Sequence, residues 1–93
     1  MNKLNREEVY SAIDSERTYQ DIRWLGDTTT SEGLHSPEEW FLYIEDYVNE
    51  AKHICSREPT QLAYPVVMDI MRKIAAMSVK AMEQHGTTKR ISI

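Results

Sequence analysis

The stretch that decides the fold is SPEEWFLYIEDYVNEAKHICS, residues 36–56. It opens with Ser36, whose hydroxyl can cap a helix, followed by Pro37 at the first helical position and Glu39 three residues past the cap. Apolar side chains then recur at helical spacing: Trp40, Ile44, Tyr47 or Val48, Ala51, and Ile54 or Cys55. This pattern predicts an amphipathic helix over residues 37–56.

The chain before this stretch predicts a shorter helix. Asn5 and Glu8 have the spacing of a second capping box, and neither Gly nor Pro interrupts residues 6–24. A helix is therefore predicted over that range. The polar residues Asp14 and Ser15 are candidates for a break in it.

The rest of the chain predicts a third helix and its connections. Residues 25–35, rich in Thr, Gly and Ser, predict a loop, and residues 57–64 a connector. A helix over residues 65–85 begins at a proline and ends before Gly86. Its expected buried positions are Val67, Ile70 or Met71, Ile74, Met77 or Ser78, and Ala81 or Met82. Residues 87–93 are expected to form a mobile tail.

Together these elements predict an all-α fold in a single domain, residues 1–93. The short N-terminal helix would pack on a long antiparallel hairpin made by the other two. A chain of 93 residues buries only about 60% of its unfolded surface, so we expect it to oligomerise. Because a bare hairpin about 30 Å long encloses no ligand, we expect any pocket to lie between protomers.

Composition narrows the function classes. The chain is 41% hydrophobic, which is too apolar for a disordered protein, and its net charge of −4 argues against binding nucleic-acid polymers. The single cysteine, Cys55, excludes an internal disulfide, and its place on an apolar stripe favours a structural role. Residues 40–44 are the longest apolar run, and residues 1–8 have no apolar signal core. We therefore expect a cytoplasmic protein without a membrane span.

Aromatic and basic residues in the first helix could bind a nucleotide. Tyr19 or Trp24 could stack on a base, and Arg17 or Arg23 could meet its phosphates. The alternative is that the aromatic rings fill the groove between the other helices while the arginines stay in solvent.

The third helix offers Arg72 and Lys73. An arginine can bind phosphate through a two-pronged donor fork, and a lysine adds a point charge. Alternatively, Lys73 pairs with Asp69, four residues earlier, which would be worth a few tenths of a kcal/mol.

The second helix carries a polar stripe whose members share one face: Glu39, Tyr43, Asp46, Glu50 and His53. Such a stripe is most often the solvated face of an amphipathic helix. Its carboxylates could otherwise hold a divalent cation.

The order of motifs resembles small phage-encoded proteins of the MazG-like type over residues 16–85. The residues that carry the resemblance are Glu16-Arg17-x-x-Gln20-Asp21-x-x-Trp24, then His35, then Glu39-Trp40. The resemblance implies an all-α fold, assembly into oligomers and a nucleotide as ligand.

MazG-like enzymes hydrolyse nucleoside triphosphates to monophosphate and pyrophosphate with magnesium. The resemblance would place Asp46, Glu50 and Asp69 on the metal, with Lys73 on phosphate. The magnesium motifs are incomplete in this chain, since Arg72 stands where the second acid of the second motif belongs. A basic residue there opposes a cation and favours an anion.

The architecture is also similar to that of phage sponge proteins (anti-CBASS), which bind cyclic oligonucleotide immune signals without cutting them. The leading hypothesis is thus a non-enzymatic, oligomeric nucleotide-binding protein of an infected bacterial host, without a cofactor. Its expected ligand-binding residues are Arg17, Tyr19, Arg23, Arg72 and Lys73. The alternatives are the magnesium-dependent pyrophosphohydrolase and a helical module that inhibits a host enzyme.

Overall fold

A computed structural model describes residues 3–23, 34–57 and 60–91 of the chain. Those ranges contain three α-helices, a short 3-10 turn and no strand, which confirms the all-α prediction for them. The elements are α1 (Arg6–Arg23), α2 (Pro37–Arg57), the 3-10 turn (Gln61–Ala63) and α3 (Tyr64–His85). The predictions made for Trp24, for residues 25–33 of the first loop and for residues 58–59 and 92–93 lie outside the described ranges.

Both predicted capping boxes are confirmed. At the start of α1, the backbone N–H of Glu8 donates to Asn5 Oδ1 at 2.8 Å, and the N–H of Asn5 donates to Glu8 Oε1 at 3.1 Å. At the start of α2, the N–H of Glu39 donates to Ser36 Oγ at 3.2 Å, and the N–H of Ser36 donates to Glu39 Oε1 at 2.9 Å. Each box satisfies N–H groups that lack an intrahelical partner.

The helix α1 is continuous where a break was a candidate. The Ser15 hydroxyl donates to the Ala12 carbonyl at 2.6 Å, so it is satisfied inside the helix instead of competing with it. The prediction of a break at Asp14 and Ser15 is therefore wrong.

Gly86 ends α3 as predicted. Its φ of 81° lies in the left-handed region that favours glycine, and its N–H donates to the Met82 carbonyl at 2.7 Å. Residues 87–91 beyond it are exposed and have no regular secondary structure. Their mobility stays a prediction.

The helix α3 is the central element, because α1 and α2 both pack against it. Within the described ranges, the buried apolar side chains are Trp40, Ala63, Ile70, Ala76 and Met77. All but Trp40 lie on α3 or on the turn that leads into it. Most of the core is therefore supplied by one helix and the residues next to it.

One side chain joins the first turn of α2 to the last turns of α3. Gln84 Oε1 accepts the indole N–H of Trp40 at 2.9 Å and the backbone N–H of His35 at 3.3 Å. The rings of His35, Trp40 and Tyr43 pack edge to face beside it. This cluster satisfies the polar atom of the buried Trp40, as such a ring requires.

Two expectations about burial are corrected by the structure. Cys55 is exposed. The side of α2 that faces α3 carries Ala51 and Ile54, which are partly buried, and Cys55 lies outside that side. Tyr19 is also exposed, so it does not fill a groove between the other helices.

We expect Ser36→Ala to lower the free energy of unfolding by about 1 kcal/mol, because it removes the cap of α2. Urea denaturation followed by circular dichroism measures the change. Ser11→Ala, at an exposed position of α1, is the control and should change it by less than about 0.5 kcal/mol. Equal stability of wild type and Ser36→Ala would contradict the role of the cap.

Candidate functional site

A cleft of about 510 Å³ opens where α1 and α3 meet, with one side chain from α2 at its edge. Its lining residues are Glu16, Tyr19, Gln20, Arg23, Tyr47, Arg72 and Lys73. Four of the five residues predicted to bind a ligand are among them: Tyr19, Arg23, Arg72 and Lys73. The fifth, Arg17, does not line the cleft.

The periodicity of α1 explains which of its side chains reach the cleft. Tyr19 and Gln20 each lie three or four positions from both Glu16 and Arg23, so the four residues fall within an arc of about 100° on one face of the helix. Arg17 follows Glu16 directly and is rotated by about 100° from it. Its side chain therefore lies on a different face.

Arg17 is held by two carboxylates. Its Nε and Nη2 donate to Glu83 at 2.7 and 2.8 Å, and its Nη1 pairs with Asp21. The hydrogen bond to Glu83, opposed in part by burial, raises the pKa of Arg17 above its usual value. Lys80 lies 3.9 Å from the same Asp21 carboxylate. This arginine therefore links α1 to α3 through Glu83, and its role in ligand binding stays a prediction.

Arg72 is the best-defined cation of the cleft. Its Nε donates to Glu16 Oε1 at 2.8 Å, and its Nη1 donates to Asp69 Oδ1 at 2.7 Å. The hydrogen bond to Glu16, opposed in part by burial, raises the pKa of Arg72. Glu16 is only 8% exposed. The pair therefore fixes the guanidinium in place at the cleft wall and leaves it permanently charged.

Gln20 forms the floor of the cleft and is 1% exposed. Its Nε2 donates to the Lys73 carbonyl at 3.3 Å, which ties α1 to the backbone of α3. Its Oε1 is buried and has no hydrogen-bond partner within the parts of the chain that the structure describes. A buried acceptor without a hydrogen bond is uncommon in folded proteins, because it has lost its hydrogen bonds to water and gained none in return.

The cleft carries an excess of positive charge in an acidic protein. Arg23, Arg72 and Lys73 line it against a single carboxylate, Glu16. Within the described ranges, neither Arg23 nor Lys73 forms an ion pair. The exposed ring of Tyr19 lies at the same cleft. Such a surface attracts an anion that also has an aromatic or apolar part.

The candidate metal ligands do not line the cleft. Asp46 and Glu50 are exposed on α2, as is His53, and the Asp69 carboxylate accepts from Arg72. Over residues 3–23, 34–57 and 60–91, no group of three or more His, Cys, Asp or Glu side chains could hold a metal ion. The Asp69 carboxylate forms its ion pair with Arg72 and not with Lys73, which was the alternative partner in the sequence.

Sequence reasoning missed three residues of the cleft: Glu16, Gln20 and Tyr47. Gln20 had a signal, since it recurs at helical spacing with the apolar residues Val9, Ile13 and Trp24 and is itself polar. The sequence places Tyr47 on the apolar stripe of α2. A partly buried residue of that stripe can also line the cleft, as Tyr47 does. The partner of Glu16 could not be identified from the sequence, because Arg72 is 56 residues away.

The pocket predicted between protomers stays a prediction, whereas this cleft is formed within one chain. The reason is that α1 supplies a wall which a bare pair of helices lacks. Arg72 and Lys73 of α3 form the facing wall.

Comparisons with protein families, with curated protein sequences and with solved structures find no match to this chain. Among the helices that the structure describes, none is both long and apolar enough to cross a membrane.

We expect Glu16→Gln to lower the free energy of unfolding by about 1–2 kcal/mol, because it weakens a charged hydrogen bond at a nearly buried position. Asp69→Asn is the matched control, since it removes the second carboxylate of the same arginine at a more exposed position. Its effect should stay below about 0.5 kcal/mol. Urea denaturation compares the two variants, and equal losses would contradict a dominant role for Glu16.

Proposed function

We propose that this chain is a non-enzymatic nucleotide-binding protein whose ligand occupies the cleft between α1 and α3. One observation carries the proposal: Arg23 and Lys73 lie at the cleft without a carboxylate partner in the described ranges, next to the exposed ring of Tyr19. Cations suit phosphate, and an aromatic face suits a base.

The dimensions of the cleft support a small-molecule ligand. A volume of about 510 Å³ falls within the roughly 300–1,000 Å³ typical of ligand pockets. Arg72 is oriented by Glu16 and Asp69, so its guanidinium is pre-positioned at the wall. Pre-positioning lowers the entropy that binding would otherwise cost.

The ligand class we favour is a cyclic oligonucleotide. The resemblance to phage sponge proteins motivates it, and it implies a counter-defence protein in the cytoplasm of an infected bacterium, without a cofactor. The contact between the start of α2 and the end of α3, through Trp40 and Gln84, supports the antiparallel helical hairpin of that architecture. Self-assembly into a homo-oligomer is part of the same proposal.

Isothermal titration with a panel of cyclic di- and trinucleotides tests the proposal. We expect one of them to bind, and we expect affinity to fall as salt is raised, because phosphate contacts are screened. Lys73→Gln should weaken binding about tenfold or more, since it removes a charge that faces the phosphates. Lys52→Gln, at an exposed position of α2, is the matched control and should leave affinity unchanged.

Two outcomes would overturn the proposal. Absence of binding at high micromolar nucleotide would do so and would favour a helical module that binds a host enzyme. Release of pyrophosphate from nucleoside triphosphates with magnesium, lost in Asp46→Asn, would instead identify the MazG-like hydrolase. The same assay with manganese covers a different metal preference.

A further inference from the structure

An apolar stripe runs along the side of α3 that neither neighbouring helix covers. Its members follow one another at spacings of 4, 3, 4, 3 and 4: Tyr64, Met68, Met71, Ala75, Ser78 and Met82. The four large side chains are between 44% and 56% exposed, and no stripe position is charged. A surface helix normally turns its charged residues to solvent, so this face departs from the usual pattern.

The position of α1 explains why the stripe is left open. The contacts of α1 with α3 are made at Arg72, Lys73, Lys80 and Glu83. Successive residues of a helix are rotated by about 100° around its axis. The mean direction of these four positions therefore differs by about 130° from the mean direction of the stripe. The cleft and the stripe are consequently on different sides of the molecule.

The helix α2 adds apolar side chains to this face, interleaved with the exposed Glu45 and Lys52. Phe41, Val48 and Cys55 recur every seven residues and are exposed, Phe41 by 73%. They lie about 100° around α2 from Tyr47, which is at the cleft edge. We proposed above that α2 and α3 are antiparallel. Because both helices are right-handed, Phe41, Val48 and Cys55 then lie on the same side of the pair as the α3 stripe.

The face keeps apolar surface that a partner could bury. Tyr64, Met68, Met71 and Met82 of α3 are between 44% and 56% exposed, and Phe41 and Val48 of α2 are 73% and 39% exposed. Large apolar side chains exposed to this extent on one continuous face are typical of a surface that a partner covers.

We infer that the apolar face of α2 and α3 is covered by a second copy of this chain, related by a two-fold axis. A two-fold interface requires a surface that is complementary to itself. The intervals between stripe residues are the same from either end of α3. When two copies of α3 pack antiparallel, each stripe residue of one copy therefore faces a stripe residue of the other. Met71 then lies opposite Ala75 of the second copy, and Met68 lies opposite Ser78.

This pairing puts long side chains against short ones. A methionine facing an alanine or a serine can fill the space that the small residue leaves, and its flexible chain adapts to the contact. Tyr64 meets Met82 of the second copy at each end of the stripe. This inference rests on the antiparallel hairpin and homo-oligomer of the proposed function and names their interface, while its test uses the nucleotide-free protein and so does not depend on the ligand.

Sedimentation velocity of the nucleotide-free protein at micromolar concentration tests this interface. We expect the wild type to have twice the monomer mass of 10.9 kDa. Met71→Glu should raise the dimer dissociation constant by about 100-fold or more, because it buries like charges close to the two-fold axis. Ile22→Glu, a substitution of the same type at a 75% exposed position of α1, should leave the dimer intact.

Cysteine cross-linking tests the antiparallel register without a charge in the interface. In a Cys55→Ser background, a mixture of Met71→Cys and Ala75→Cys chains should form a mixed disulfide faster than either variant alone. Circular dichroism verifies that each variant stays helical. A monomeric wild type, a stable Met71→Glu dimer, or equal cross-linking of matched and unmatched pairs would overturn the inference.

Discussion

Glu16 is almost fully buried between α1 and α3, where its carboxylate accepts the Nε–H of Arg72. A buried carboxylate is tolerated only when it is paired, so this contact fixes where α1 can lie on α3. The amide of Gln20, one turn further along α1, bonds to the α3 backbone next to Arg72. Together they hold the two walls of the cleft at a defined separation.

On the neighbouring face of α1, Arg17 makes the reverse arrangement, with the cation on α1 and the carboxylate of Glu83 on α3. Between the two clusters lies Ala76, which has no exposed surface. The short side chain suits a position where another helix passes closely. Because Arg17 and Arg72 each pair with two carboxylates, Arg23 and Lys73 are the cations at the cleft that have no carboxylate partner in the described ranges.

Local signals in the sequence predicted local structure well. The capping boxes at Asn5 and Ser36 and the stop at Gly86 depend on residues within four positions of each other, so spacing alone reveals them. The pairing of Glu16 with Arg72 could not be predicted, because helical periodicity says which face is polar and not which distant residue it meets. The same reason explains Cys55: periodicity placed it on an apolar stripe but could not say that its side of α2 faces away from α3.

The confinement of the cleft to a single chain has a consequence for binding stoichiometry. A pocket shared between protomers would bind one ligand per interface and would lose its ligand when the assembly is diluted apart. A cleft whose walls are α1 and α3 of the same molecule offers one site per chain. If the cleft binds the proposed nucleotide, its occupancy would follow the concentration of free ligand, and each copy of the protein would add one binding site at any dilution.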